Sequence, residues 1–91
     1  MTRKELSDEQ IIATIFDKLT RKRKWKGSHI PQDTVFKWIS NKIKRDGKRV
    51  EILIDELIKN NFIISKPTHY GREISLNPEK SREILEIIEK I

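Results

Sequence analysis

Apolar positions along the chain fall into stripes whose period changes partway. Ile11, Ile12, Ile15, Phe16 and Leu19 recur at i, i+1, i+4, i+5 and i+8, which places them on one side of a helix. Ser7-Asp8-Glu9-Gln10 precedes them as a capping box, with Leu6 set to staple onto Ile11. Gly27 is expected to mark the break after this helix. Ser28-His29-Ile30 is expected to run extended, because Ile30 precedes a proline, and Pro31 suits the first turn of a second helix buried through Val35, Phe36, Ile39 and Ile43. After Asp46-Gly47 a third stripe, Val50, Leu53, Ile54, Leu57 and Ile58, has ideal helical spacing and closes at Asn60-Asn61. The period then drops towards two. Phe62–Lys66 and Arg72–Leu76 read as the arms of a hairpin about the turn 67–71, and Asn77-Pro78-Glu79 opens a last helix buried through Ile84, Ile87, Ile88 and Ile91.

The expected class is therefore mainly α with a small β-hairpin (α+β), in one domain spanning 1–91 with residues 1–6 flexible. The order helix, short extended piece, helix, tight turn, helix, hairpin, helix resembles the winged helix-turn-helix family from Ser7 to Ile91. Val50–Ile58 followed by Asn60-Asn61-Phe62-Ile63 looks like a recognition helix leading into a wing. Arg72–Pro78 looks like the second wing strand passing into a closing helix. The resemblance implies a winged-helix architecture: a three-helix bundle, a two-stranded wing and a C-terminal helix, of the kind found in prokaryotic and archaeal transcriptional regulators. It further implies that the helix over about 47–60 enters the major groove of duplex DNA by its N-terminal end while the 66–72 hairpin reaches the backbone.

Charge sharpens that expectation. Twenty Lys and Arg against 14 Asp and Glu leave +6 with pI about 9.7, a balance that favours a polyanion as partner. The positive charge concentrates in three segments: Arg21, Lys22, Arg23, Lys24 and Lys26 around Trp25; Lys42, Lys44, Arg45, Lys48 and Arg49; and Lys66 with Arg72 around His69 and Tyr70. The winged layout is expected to bring these segments to or near one side. Lys48, Arg49 and Ile52 are the expected groove-facing residues, and Lys66, His69, Tyr70 and Arg72 the wing contact. Lys42, Lys44, Arg45 and the run Arg21, Lys22, Arg23, Lys24, Trp25, Lys26 are expected to hold phosphates. Trp25 has two readings, a ring stacked on a base or sugar and a ring pinning its loop to the core. Trp38 is expected in the core or half-buried.

Acids at Glu51, Asp55 and Glu56 on the third helix leave a second function open: a winged module contacting protein or RNA through a mixed-charge surface. Leu85, lying beyond the last helix's stripe, adds homodimerisation to the expected partners. No cysteine is present, and two histidines alone make no zinc site. No phosphate-binding loop, dinucleotide fingerprint or nucleophile motif occurs, so neither an enzyme nor a cofactor or metal is expected. The longest purely apolar run, Phe62–Ile64, is far shorter than a membrane span, and a cytoplasmic protein without membrane association is expected.

Overall fold

The computed structural model describes residues 7–40, 47–69 and 71–90 as a mixed α+β fold of four helices and a three-stranded antiparallel sheet. Helix α1 (Asp8–Arg21) starts at the expected capping box: Ser7 Oγ accepts from the Gln10 amide at 3.2 Å, and the Ser7 amide donates to Gln10 Oε1 at 2.8 Å. Asp8 and Glu9 in its first turn and Lys18 and Arg21 in its last complement the helix dipole. Ile11, Ile15, Phe16 and Leu19 are fully buried, while Ile12 is half-buried. Ala13 lies outside the expected stripe and is also buried, since α1 packs against helices and sheet on more than one side.

The end of α1 departs from expectation. The helix ends at Arg21 and the chain turns away through Arg23, whose φ is +56°, four residues before Gly27. The Lys24 amide reaches back to the Leu19 carbonyl at 2.9 Å and the Arg23 amide to Thr20 at 3.0 Å, the paired closure that a left-handed residue permits. Gly27, at φ +88°, serves the following turn, in which the Ser28 amide donates to the Trp25 carbonyl at 2.8 Å. Arginine gives no sequence signal for this conformation, so the stop was hidden.

Pro31 also differs. It is the last residue of strand β1 (Ile30–Pro31) rather than part of a helix, and helix α2 (Gln32–Ser40) begins after it. Ile30 pairs with Ile74 and Pro31 with Glu73, so the expected two-stranded hairpin is a sheet of three. Proline is tolerated because β1 lies at the sheet's edge.

Helix α3 (Gly47–Lys59) closes as anticipated. Asn61 adopts φ +65°, and the Phe62 amide donates to Leu57 at 2.9 Å. Strands β2 (Ile63–Thr68) and β3 (Gly71–Leu76) pair from Ile63↔Leu76 to Thr68↔Gly71. Pairing thus runs through Pro67, Thr68 and Gly71, which turn chemistry alone assigns to the loop, and Phe62 lies just outside β2. The strand order is β1-β3-β2. Along the pleat Ile63, Ile74 and Leu76 face the helices and are buried.

Asn77 joins three elements. Its amide donates to the Phe62 carbonyl at 3.0 Å, its Nδ2 donates to the Asn61 carbonyl at 2.8 Å, and its Oδ1 accepts from the Glu79 amide at 3.1 Å. A single 3₁₀ turn, Pro78–Lys80, follows and leads into helix α4 (Ser81–Glu89). Ile84 is fully buried, and Ile87 and Ile88 are half-buried against α1's side of the core. The core is built from every helix and the sheet, with the Phe16 and Phe62 rings 5.7 Å apart. No described helix is long and apolar enough to cross a membrane. The residues Leu6, Lys42, Ile43, Lys44, Arg45, Tyr70 and Ile91, and the side chain of Ile39, fall outside the described part.

Candidate nucleic-acid interface

The basic run after α1 is held in place by its own backbone. Its first cation, Arg21, pairs with Asp17 at 3.1 Å across one helical turn. Lys22 Nζ stands 5.8 Å from the ring centroid of Trp38 in the last turn of α2, a cation–π contact that docks the run against that helix. Trp38 is half-buried there, as expected. Trp25 forms a parallel bridge to Leu76 at the end of β3, the Leu76 amide donates to the Lys24 carbonyl at 2.7 Å, and the half-buried Trp25 ring packs on the core. Of its two readings, pinning is the one realised in the free protein. Arg23, Lys24 and Lys26 make no ion pair among the described residues, and Arg23 and Lys26 are exposed. Five cations in six residues are therefore fixed on a hydrogen-bonded turn that contains a left-handed arginine.

The outward side of α3 has the composition its helical wheel anticipates. Lys48, Glu51, Ile52, Asp55, Glu56 and Lys59 are exposed, with Ile52 at 53%. Arg49 points elsewhere: its Nε and Nη2 both lie 2.6 Å from Asp8 Oδ1 at the start of α1. Arg72 is likewise engaged, donating from Nη2 to Asp55 of α3 and from Nε to Oε1 of Gln32 in α2. Gln32 is only 8% exposed, so this contact satisfies a buried acceptor. On the sheet, Lys66, Thr68 and His69 are exposed.

The leading arginines are thus both held by acids distant in sequence, Asp8 and Asp55. No spacing rule could have revealed these pairings, because they depend on how α1, α3 and the sheet pack. Gln32 was missed for the same reason: its contact with Arg72 exists only because β1 pairs with β3 and carries α2 to the sheet.

Those contacts also shape a cleft of about 240 Å³ between α2, α3 and the β2–β3 hairpin, lined by Gln32, Asp33, Phe36, Glu51, Gly71 and Arg72. The carboxylates of Asp33 and Glu51 make no hydrogen bond or ion pair among the described residues. With Asp55 close by, the centre of this side is not cationic.

The described candidate-site cations therefore form two groups. From Gly71 beside the hairpin turn to Leu76 beside Trp25, β3 covers about 17 Å. From Asp8, which holds Arg49, to the basic run, α1 covers about 20 Å. The basic run lies at one end of both elements, with Arg49 and the hairpin-turn cations towards the other. Among the described residues no three His, Asp or Glu side chains group as a metal-ion site. Compared with family models, curated proteins and solved structures, the chain matches none.

Proposed function

We propose that this chain is a winged-helix module that binds nucleic acid, most favourably duplex DNA. The connectivity of four helices with strand order β1-β3-β2 supports the winged-helix reading, since β2 and β3 form the extended hairpin directly after α3. The observation that carries the binding proposal is the ordered basic turn. Fixing Lys22, Arg23, Lys24 and Lys26 on one short turn directly after Arg21, with Arg23 in a disfavoured conformation, is unfavourable in the free protein, and a phosphate backbone relieves it. The two cation groups sit towards opposite ends of α1, whose length of about 20 Å is within the ~34 Å repeat of one duplex turn, so one DNA molecule can meet both. In this reading the basic run and Lys66 position the duplex, Lys48 and Ile52 face base edges, and Glu51 accepts from a cytosine amino group.

Electrophoretic mobility shifts across a salt series test this. About six engaged phosphates give a slope of log K against log salt near −5. Replacing Arg21, Arg23 and Lys26 together by Ala should flatten the slope by two to three units for every sequence alike, taking about 0.9 per phosphate. A flat salt response, or no complex at low salt, overturns the proposal.

A second reading rests on the cleft. Two carboxylates without a partner among the described residues, beside the half-buried Phe36 ring, suit a Lys or Arg side chain from a protein partner. Under that reading, chemical-shift changes on adding duplex stay confined to the basic turn and spare Lys48 to Ile52.

A further inference from the structure

Helix α4 carries a surface that the other described residues leave uncovered. Leu85 is 45% exposed and, with Ile52, is one of two large hydrophobic side chains exposed among the described residues. At 100° per residue, Ile88 stands about 60° from Leu85 on the core-facing side, while Arg82 and Glu89 stand about 60° and 40° away on the opposite side. Ile88 is half-buried, and Arg82 and Glu89 are exposed without an ion pair among the described residues. Read from the core outward, this strip of α4 is apolar at Ile88, apolar at Leu85, and then charged.

Arg82 and Glu89, the two charges on this flank angularly nearest Leu85, are arranged symmetrically along the axis, with exposed Glu86 farther round at about 100°. Arg82 and Glu89 are seven residues, about 10 Å, apart, and Leu85 falls within 1 Å or so of their midpoint. A two-fold axis beside Leu85 and perpendicular to α4 sets a second α4 antiparallel to the first. It keeps each residue on the same flank while reversing its height, so Arg82 of each copy comes to the height of Glu89 in the other. The same operation places Leu85 against Leu85 and keeps both Ile88 side chains on the inner flank. An isologous contact of this kind requires a patch complementary to itself. A face with a central leucine and opposite charges equidistant from it meets that requirement, and no independent partner need share the register.

We infer that α4 is a self-association face, on which a second copy of this chain docks antiparallel through Leu85, flanked by two reciprocal Arg82–Glu89 ion pairs. The apolar centre supplies the attraction and the rim pairs set direction and register. With one leucine and one half-buried isoleucine per chain the contact is small, and the dimer is a weak one that forms at high protein concentration. The inference is independent of nucleic-acid binding, because it uses no residue of the basic turn, α3 or the wing.

Charge reversal gives a decisive test by sedimentation equilibrium of the whole chain, over concentrations reaching roughly 1 mM, where a weak complex of this class is populated. Wild type is expected to self-associate. Arg82→Glu and Glu89→Arg should each weaken association about tenfold or more, since each sets like charges opposite one another. An equimolar mixture of the two variants should regain association as a heterodimer, because one chain then presents acids at both positions and the other presents bases at both; the double variant should regain it as a homodimer. Leu85→Asp should abolish it in either charge background. Circular dichroism of each variant checks that α4 remains helical, and the mixture supplies its own control, because variants that fail to fold cannot complement each other. Monomeric wild type throughout the range, single reversals that associate as wild type does, or a mixture that fails to recover each overturns the inference.

Discussion

Arg49 in the first turns of α3 donates from two nitrogens to one carboxylate oxygen of Asp8, each at 2.6 Å, so the starts of two helices distant in sequence are clasped together. Asp8 also stands in the first turn of α1, where its charge complements the helix dipole. The pair is partly exposed, with the Arg49 side chain at 32% and that of Asp8 at 60%.

Asp8→Asn is therefore expected to lower stability by only about 1 kcal/mol, the combined scale of an exposed ion pair and one dipole contact. Under the nucleic-acid proposal it should also tighten duplex binding, by about threefold to tenfold at low salt, because it removes an anion beside Arg49. Urea unfolding and mobility-shift titrations of the same variant separate the two effects.

Arg72 joins three elements and should matter more. Arg72→Ala leaves the buried Oε1 of Gln32 without its donor, and a loss of about 1–3 kcal/mol is expected. Asp55→Ala removes only the exposed ion pair, whose partners' side chains are 34% and 51% exposed, and should cost less than about 1 kcal/mol. The ranking of these two variants in chemical denaturation checks whether the buried hydrogen bond or the ion pair dominates.

Arg23→Gly is expected to stabilise the fold by about 0.5–1 kcal/mol, since glycine reaches φ +56° without the steric penalty that arginine bears. If the basic turn holds phosphates, the same substitution weakens duplex binding and reduces the salt slope by about one unit. A variant with a higher melting temperature but lower affinity would show a residue kept at a cost to stability.

Phe16→Ala should come close to unfolding the domain. The ring is fully buried and packs on Phe62, so its loss is expected to cost about 3–5 kcal/mol, a large part of the 5–14 kcal/mol available to a chain of this size. Thermal denaturation followed by circular dichroism measures it directly.

Much of the fold was legible because local chemistry agreed with tertiary packing. The Ser7 and Gln10 capping box, the closure at Asn61 and the buried face of α3 all depend on residues within one or two turns, and each formed as its sequence indicated. Elements decided by distant partners were not legible. Two-residue β1 has no periodicity to detect and exists because Ile74 and Glu73 pair with it. Arg23 ends α1 without any turn-forming residue, because the next residues are drawn onto Leu76. At the candidate site, exposure along α3 could be read from a helical wheel, whereas the capture of Arg49 and Arg72 by acids 41 and 17 residues away could not.

The margins of the sheet have a consequence for how copies of this chain behave when crowded. On one side β1 is only two residues long and ends in Pro31; on the other, β2 carries Lys66 and Pro67 where an incoming strand would have to align. Neither rim offers an unbroken ladder of amide and carbonyl groups, so lateral growth into fibrils is blocked by Pro31 at one rim and by Lys66 and Pro67 at the other.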